Sequence, residues 1–223
     1  MNLIEEVNRR KLAIFDFDGL MVNSEQVVYL SLKKLFNKYG QILTWDYFAR
    51  HIGTPVSVSI PQFYKDYPLP LSYDDFLLER NSVIKEAMNT SLKLMPGLIQ
   101  FLNILKEKQL ILSIGTSAKR RYLKTILMKY NIQHYFKYIV TADDVKRGKP
   151  YPDIFVEILK KANFKSNEAF ILEDSPSGIQ AAKAIQIMCV AIPAPKVNIA
   201  SFSGASFIVD SLETLVQSFN KTS

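Results

Sequence analysis

Two aspartates separated by one residue, in Asp16-Phe17-Asp18-Gly19, follow directly on the apolar run Leu12-Ala13-Ile14-Phe15. Carboxylates held this close repel one another unless a cation, a proton or a bound substrate relieves them. Three further segments carry groups able to serve such a site. Thr116 and Ser117 follow Ile111-Leu112-Ser113-Ile114-Gly115, Lys149 lies in Gly148-Lys149-Pro150-Tyr151-Pro152-Asp153, and Glu173-Asp174 ends Phe170-Ile171-Leu172. Carboxylate oxygens suit a hard cation, and magnesium is the usual partner of carboxylates together with phosphate. A lysine and a threonine hydroxyl suit a phosphoryl group. One carboxylate can attack phosphorus to give an aspartyl-phosphate, and a second can protonate the leaving oxygen and then activate water.

For these groups to meet, the apolar runs must be strands of one sheet. Strand-like runs over Lys11 to Asp16, Leu110 to Gly115, Tyr138 to Thr141, Ala169 to Leu172, Met188 to Ile192 and Ser206 to Val209 alternate with helical stripes. The stripes are Leu98-Phe101-Leu102-Leu105, Leu123-Ile126-Leu127-Tyr130, Phe155-Ile158-Leu159-Ala162, Ile179 to Ile185 and Leu212 to Phe219. This alternation predicts an α/β fold, a Rossmann-like parallel sheet flanked by helices. Ligands of such sheets gather at the carboxyl ends of the strands, which is where all four segments fall.

One region breaks the rhythm. From about Glu25 to Leu94 there is no strand pattern, while helices are expected over Tyr29 to Tyr39, Thr44 to Arg50, Val56 to Tyr64 and Tyr73 to Met88. Pro55, Pro61, Pro68 and Pro70 punctuate them, and Pro61 sets the middle helix in doubt. The expected organisation is a core over 1–22, an inserted all-helical cap over 23–94 and the rest of the core over 95–223.

Taken singly, each segment has an ordinary explanation. A DxD is often a solvated turn, Thr116 could cap a helix, Lys149 could be a surface lysine, and Glu173-Asp174-Ser175-Pro176 reads as a helix start. Together and in this order, Asp16-Phe17-Asp18-Gly19-Leu20, Gly115-Thr116-Ser117, Lys146 to Phe155 and Leu172 to Ile179 resemble the four motifs of the haloacid dehalogenase superfamily. The closest likeness is to its phosphatase and β-phosphoglucomutase-like branch, with a helical cap after the first strand. The resemblance implies that Asp16 is the nucleophile and a metal ligand. Asp18 would be the general acid/base, with its backbone carbonyl on the metal. Thr116 and Lys149 would hold the transferring phosphoryl group, and the amides near Phe17, Asp18 and Ser117 would complete its cradle. Asp174 would bind Mg2+, with Glu173 a ligand directly or through water. The dehalogenases of the superfamily lack the second aspartate, so the presence of Asp18 points to phosphoryl transfer.

The expected enzyme is a magnesium-dependent phosphatase of a small phosphorylated metabolite, a sugar or nucleotide-like phosphate. A mutase of the β-phosphoglucomutase type is the alternative. Against it, the histidine that branch carries ten residues after the second aspartate is Val28 here; the aspartate common five residues after it is Asn23, followed by Ser24. Arg50 and Arg80 are the cap candidates for a substrate anion, and His51-Ile52-Gly53-Thr54 falls where a cap specificity loop would lie. His134 matches no motif. A receiver domain of signalling proteins shares an aspartate, a threonine and a lysine around magnesium, but has no helical insertion and a different motif order. A silent phosphate-binding protein is disfavoured because every catalytic position carries a competent residue.

Composition bounds the rest. The 223 residues suffice for one large domain with an insertion. The net charge of +7 is spread through helical segments rather than gathered in a stripe, so no nucleic-acid partner is expected. No apolar run reaches membrane-spanning length, and Met1 to Lys11 is charged, without a signal-peptide core. A cytoplasmic monomer without membrane association is therefore expected. The one cysteine, Cys189, lies in an apolar run and reads as a core thiol.

Overall fold

The structure is a computed structural model that describes residues 2–54 and 56–221. Pro55, one of the breaks noted above, lies outside the described residues. The chain divides into two compact units, one within Met1–Val22, Leu94–Pro193 and Ile199–Ser223, the other within Asn23–Lys93 and Ala194–Asn198.

The first unit begins with α1 (Leu3–Asn8) and β1 (Leu12–Phe15). The second holds α2 (Ser24–Lys38), α3 (Trp45–Ala49), α4 (Val56–Asp66) and α5 (Tyr73–Ser91). The first resumes with α6 (Leu98–Glu107), β2 (Ile111–Gly115), α7 (Arg120–Lys129), β3 (Phe136–Val140), α8 (Asp153–Ala162), β4 (Ala169–Glu173), α9 (Pro176–Ala184), β5 (Met188–Ala191), β6 (Phe207–Ile208) and α10 (Leu212–Asn220). Helix α1 has no counterpart in the sequence reading. Its six residues are too few for a periodic stripe, and only Ile4, Glu6 and Val7 are buried.

The six strands are parallel, in the order β3-β2-β1-β4-β5-β6. Strand β1 is central, and all four of its residues are buried, as expected of a strand covered on both faces. Its side chains alternate between those faces. Phe15 meets Phe101 of α6 edge-on at 6.2 Å, and Phe101 in turn meets Phe219 of α10 at 5.8 Å. Ile14 points the other way, toward Gly115 and α8. A Cβ on Gly115 would lie 2.8 Å from Ile158 and 3.1 Å from Ile14, so α8 packs this closely only because β2 ends in glycine. The carboxyl ends of β1, β2 and β4 are aligned in register, with Phe15 beside both Ile114 and Leu172.

The helical unit has its own core, built from Leu32, Leu35, Phe36, Leu43, Phe48, Ile60, Phe63 and Phe76. Helix α4 runs unbroken through Pro61. The proline is exposed, while Ile60 and Phe63 on either side are buried. Packing outweighs the lost bond, and the doubt that Pro61 cast on this helix does not hold. Asn23 acquires a clear role: its backbone N–H donates to Lys93 O at 3.0 Å, and its side-chain Oδ1 accepts from Lys93 N at 2.7 Å. These two bonds join the first and last residues of the helical segment. The short segment 194–198 belongs with these helices, where Trp45 Nε1 donates to Pro195 O at 2.7 Å. No helix among the described residues is long and apolar enough to cross a membrane.

Candidate active site

The site forms where β1, β2 and β4 end. Backbone ladder bonds position its groups before any side chain acts: Asp16 N donates to Leu172 O at 3.0 Å, and Thr116 N donates to Val140 O at 3.1 Å. After Asp16 the chain turns tightly, with Gly19 N donating to Val22 O and Met21 N to Phe17 O. Gly19 takes φ +79°, and a Cβ there would lie 1.8 Å from Asp174 Oδ2. Only glycine allows both the left-handed turn and the close approach of Asp174.

Lys149 Nζ donates to Asp16 Oδ1 and, at 2.5 Å, to Glu173 Oε1. The Lys149 side chain is 4% exposed and that of Glu173 fully buried. The ammonium also sits 5.1 Å from the centre of the Phe155 ring. The other oxygen of Glu173, Oε2, accepts from the N–H groups of Asp174 and Ser175 at 2.9 Å each and from Ser175 Oγ at 2.8 Å. Glu173 is therefore held rigidly at the start of α9 and presents one oxygen to Lys149. A Cβ on Gly178 would lie 1.8 Å from Glu173 Oε1. Gly178→Ala should expel this carboxylate and destabilise the protein by about 3 kcal/mol, through overpacking and a broken buried ion pair. Urea unfolding measures this, and an unchanged midpoint would show that α9 shifts to make room.

Asp16, Glu173 and Asp174 offer ligand oxygens that all lie within 4.8 Å of one another, and all three residues are buried. Burial pushes the Asp16 carboxyl up to about 7; Lys149 draws it down, and Glu173 and Asp18 push it further up. Burial opposes the charge on Lys149, but Asp16 and Glu173 outweigh it and hold the ammonium protonated, above the usual lysine range. Asp16 and Glu173 thus share the Lys149 ammonium, with Asp174 in the same cluster. Such a donor set fits a divalent hard cation.

The structure brings Asp16, Lys149, Glu173 and Asp174 into one cluster, with Asp18 on the loop that follows Asp16. Thr116 is buried, and its Oγ1 accepts from Ala118 N at 3.0 Å. It does not cap α7, whose N-cap position is Lys119; Asp143 instead accepts from Arg120 N at 2.9 Å. Ser117 is exposed, beside Gly148. Arg50 and Arg80 belong to the helical unit, not to this cluster. Arg50 is exposed at the C-terminal end of α3. Arg80 is half-buried on α5; its Nη1 donates to Asn81 Oδ1 and its Nε has no partner. The neighbouring Glu79 binds Lys38 and Tyr39 at the C-terminal end of α2, the far end of that helix from Asn23. His51 is wedged between Tyr47 and Phe63, at 5.0 and 4.9 Å between ring centres, and its burial lowers its affinity for a proton. Cys189 is buried, and its thiol is pushed well above the usual range by burial and by the charge of Glu173. The group that motif reading missed is Tyr122, whose hydroxyl donates to Asp18 Oδ1 at 3.2 Å. In the sequence it is only a residue beside the stripe Leu123-Ile126-Leu127.

Comparison with known proteins agrees with this geometry. Residues 13–192 match the family model of haloacid dehalogenase-like hydrolases. A phosphorylated carbohydrates phosphatase of Thermotoga maritima is 29% identical over 174 residues, covering 78% of this chain and 81% of its own. (DL)-glycerol-3-phosphatase 2 of Arabidopsis thaliana is 30% identical over 210 residues, covering 89% and 86%. The crystal structure of a proposed β-phosphoglucomutase from Thermotoga maritima superposes with a TM-score of 0.77 at 25% identity, covering 96% of this chain and all of that one. The chain belongs to the haloacid dehalogenase-like hydrolase family, in its phosphatase and β-phosphoglucomutase-like branch, and is an enzyme of the phosphomonoesterase type.

Proposed function

We propose that the protein hydrolyses a small phosphorylated metabolite, a sugar or nucleotide-like phosphate, through an aspartyl-phosphate on Asp16, and that it depends on magnesium. The observation that carries this reading is the contact of Asp16 with Lys149 inside the cluster of Glu173 and Asp174. Asp16 and Asp174, with the backbone carbonyl of Asp18, would hold Mg2+; when bound, it offsets carboxylate charge and draws electrons from the phosphoryl oxygens. In the first step an Asp16 oxygen bonds to phosphorus as the bond to the leaving oxygen breaks, and Asp18 gives its proton to that oxygen. In the second, water attacks the aspartyl-phosphate, Asp18 takes up the proton, and inorganic phosphate leaves. Lys149 and Thr116 hold the phosphoryl oxygens, with the amide of Ser117. Glu173, saturated by its own donors, keeps Lys149 in place rather than joining the metal. Exposed Arg50 is the better candidate of the two cap arginines for a substrate anion.

A panel of phosphorylated metabolites scored for free phosphate tests the reading. Phosphate release is expected to stop in EDTA and to return with magnesium. Hydrolysis that persists in EDTA would remove the metal from the mechanism. The mutase reading is favoured by one observation, the structural likeness to the proposed β-phosphoglucomutase. Val28, in place of that branch's histidine, weighs against it. Conversion of β-glucose 1-phosphate to glucose 6-phosphate without phosphate release would decide for the mutase.

A further inference from the structure

Asp18 meets an aromatic hydroxyl carried by a different element. Tyr122 OH donates to Asp18 Oδ1 at 3.2 Å across 104 residues of sequence. The tyrosine ring is itself fixed: it meets the fully buried Phe17 edge-on, with centres 5.8 Å apart and planes at 75°. One aromatic pair thus clamps both neighbours of the Phe17–Asp18 peptide.

Helix α7, which carries Tyr122, is tied down at its start. Asp143 accepts from Arg120 N and Lys119 Nζ at 2.9 Å each, and Asp144 pairs with Arg120. Asp144 also accepts from Thr141 N and Thr141 Oγ1 at 2.7 and 2.8 Å, at the end of β3. Leu123, Ile126 and Leu127 seat the other face of the helix in the core. The position of the Tyr122 hydroxyl is therefore set by the sheet rather than by a free side chain.

We propose that Tyr122 is a positioning residue, whose hydroxyl holds the Asp18 carboxylate in the orientation from which it exchanges the proton in both chemical steps. This rests on the phosphatase reading above. An aspartate on a surface loop has several rotamers, and a general acid works only from those within hydrogen-bond reach of the leaving oxygen. The tyrosine touches neither the reacting phosphorus nor the leaving group in this role.

Tyr122→Phe keeps the ring and its contact with Phe17 and removes only the hydroxyl. Two esters of similar shape separate the consequences. Benzyl phosphate expels an alkoxide that needs the Asp18 proton, whereas p-nitrophenyl phosphate expels a stable phenolate that does not. For benzyl phosphate, kcat should fall about tenfold with KM changed by less than about twofold. For p-nitrophenyl phosphate, first-turnover release should stay within about twofold of the wild type, while later turnovers slow about tenfold because water attack still needs Asp18 as base. A burst of nitrophenolate should then appear. Equal first-turnover losses with both esters, or no loss with either, would overturn the assignment and leave the tyrosine a packing residue. A wild type that releases phosphate from neither ester nor any of the metabolite panel would remove the phosphatase reading, and this proposal with it.

Discussion

Asp16→Asn is expected to abolish phosphate release, by about a thousandfold or more, while the protein remains folded. An amide oxygen cannot form the aspartyl-phosphate, and loss of a covalent nucleophile is among the largest single-residue effects in enzymes. The stability side of this variant is as informative as the kinetic side. In the metal-free protein, burial raises the Asp16 carboxyl from 3.8 to about 7, so the folded state binds a proton that the unfolded chain has already released. The stability contributed by this group is therefore greatest at low pH and declines as pH rises from about 4 to about 7. Asparagine carries no such dependence. In EDTA the variant should match or exceed the wild type in unfolding temperature at neutral pH, and its stability should fall less steeply with pH over that window. Differential scanning calorimetry at several pH values measures both. Retained phosphate release would sink the nucleophile assignment. A variant much less stable than the wild type in EDTA would instead show that Asp16 is needed to pair Lys149.

Lys149→Met should do the opposite to stability and as much damage to activity. Methionine keeps most of the apolar stem and its contact with Phe155 but removes the ammonium that pairs with Asp16 and Glu173. Leaving buried carboxylates without their cation costs about 3–5 kcal/mol, or roughly 10 °C in Tm for a chain of this size. The raised lysine pKa gives the same sign: its contribution is fully present below the unfolded value of 10.5. The loss should therefore be clearest above about pH 7 and shrink as pH falls below it, where the Asp16 carboxyl takes up a proton instead. Magnesium should restore part of the stability but not the turnover, because the phosphoryl oxygens lose a hydrogen-bond donor that the metal does not replace. A variant as stable as the wild type at neutral pH in EDTA would mean that the carboxylates are already protonated there, and that Lys149 neutralises nothing in the resting protein.

The two substitutions remove opposite charges from one cluster, so the opposed signs of their stability effects test the electrostatic account apart from the reaction. Gly178 belongs to the same account. It gives Glu173 room, Glu173 holds Lys149, and Lys149 meets Asp16, so a methyl group on α9 should be felt at Asp16, at the end of the neighbouring strand β1.

Much of this was legible in the chain. The strands β1, β2 and β4 announce themselves as apolar runs because a central parallel strand is buried on both faces, and the residues that end them are polar because ligands gather there. The spacing of Asp16 and Asp18, and the order of Thr116, Lys149 and Glu173-Asp174, are local patterns that survive without coordinates. The helical insertion is legible too, from stripes such as Leu32-Leu35-Phe36, although Pro61 concealed the continuity of α4. There the burial of Ile60 and Phe63 outweighs a local preference.

What the sequence by itself determined is the reaction class, through which chemical groups stand at the strand ends, and the order of the sheet unit that carries them. The tertiary structure alone decided how those groups divide the work. Nothing in the motif says that Glu173 spends one oxygen on its own helix start and gives the other to Lys149. Nothing in it says that Asn23 joins Lys93, or that Tyr122 reaches Asp18. Apart from the bond of Glu173 to its own helix start, these are contacts between residues far apart in sequence, fixed by strand register and helix docking, and no periodicity records which side chain from one element will end within hydrogen-bonding distance of another.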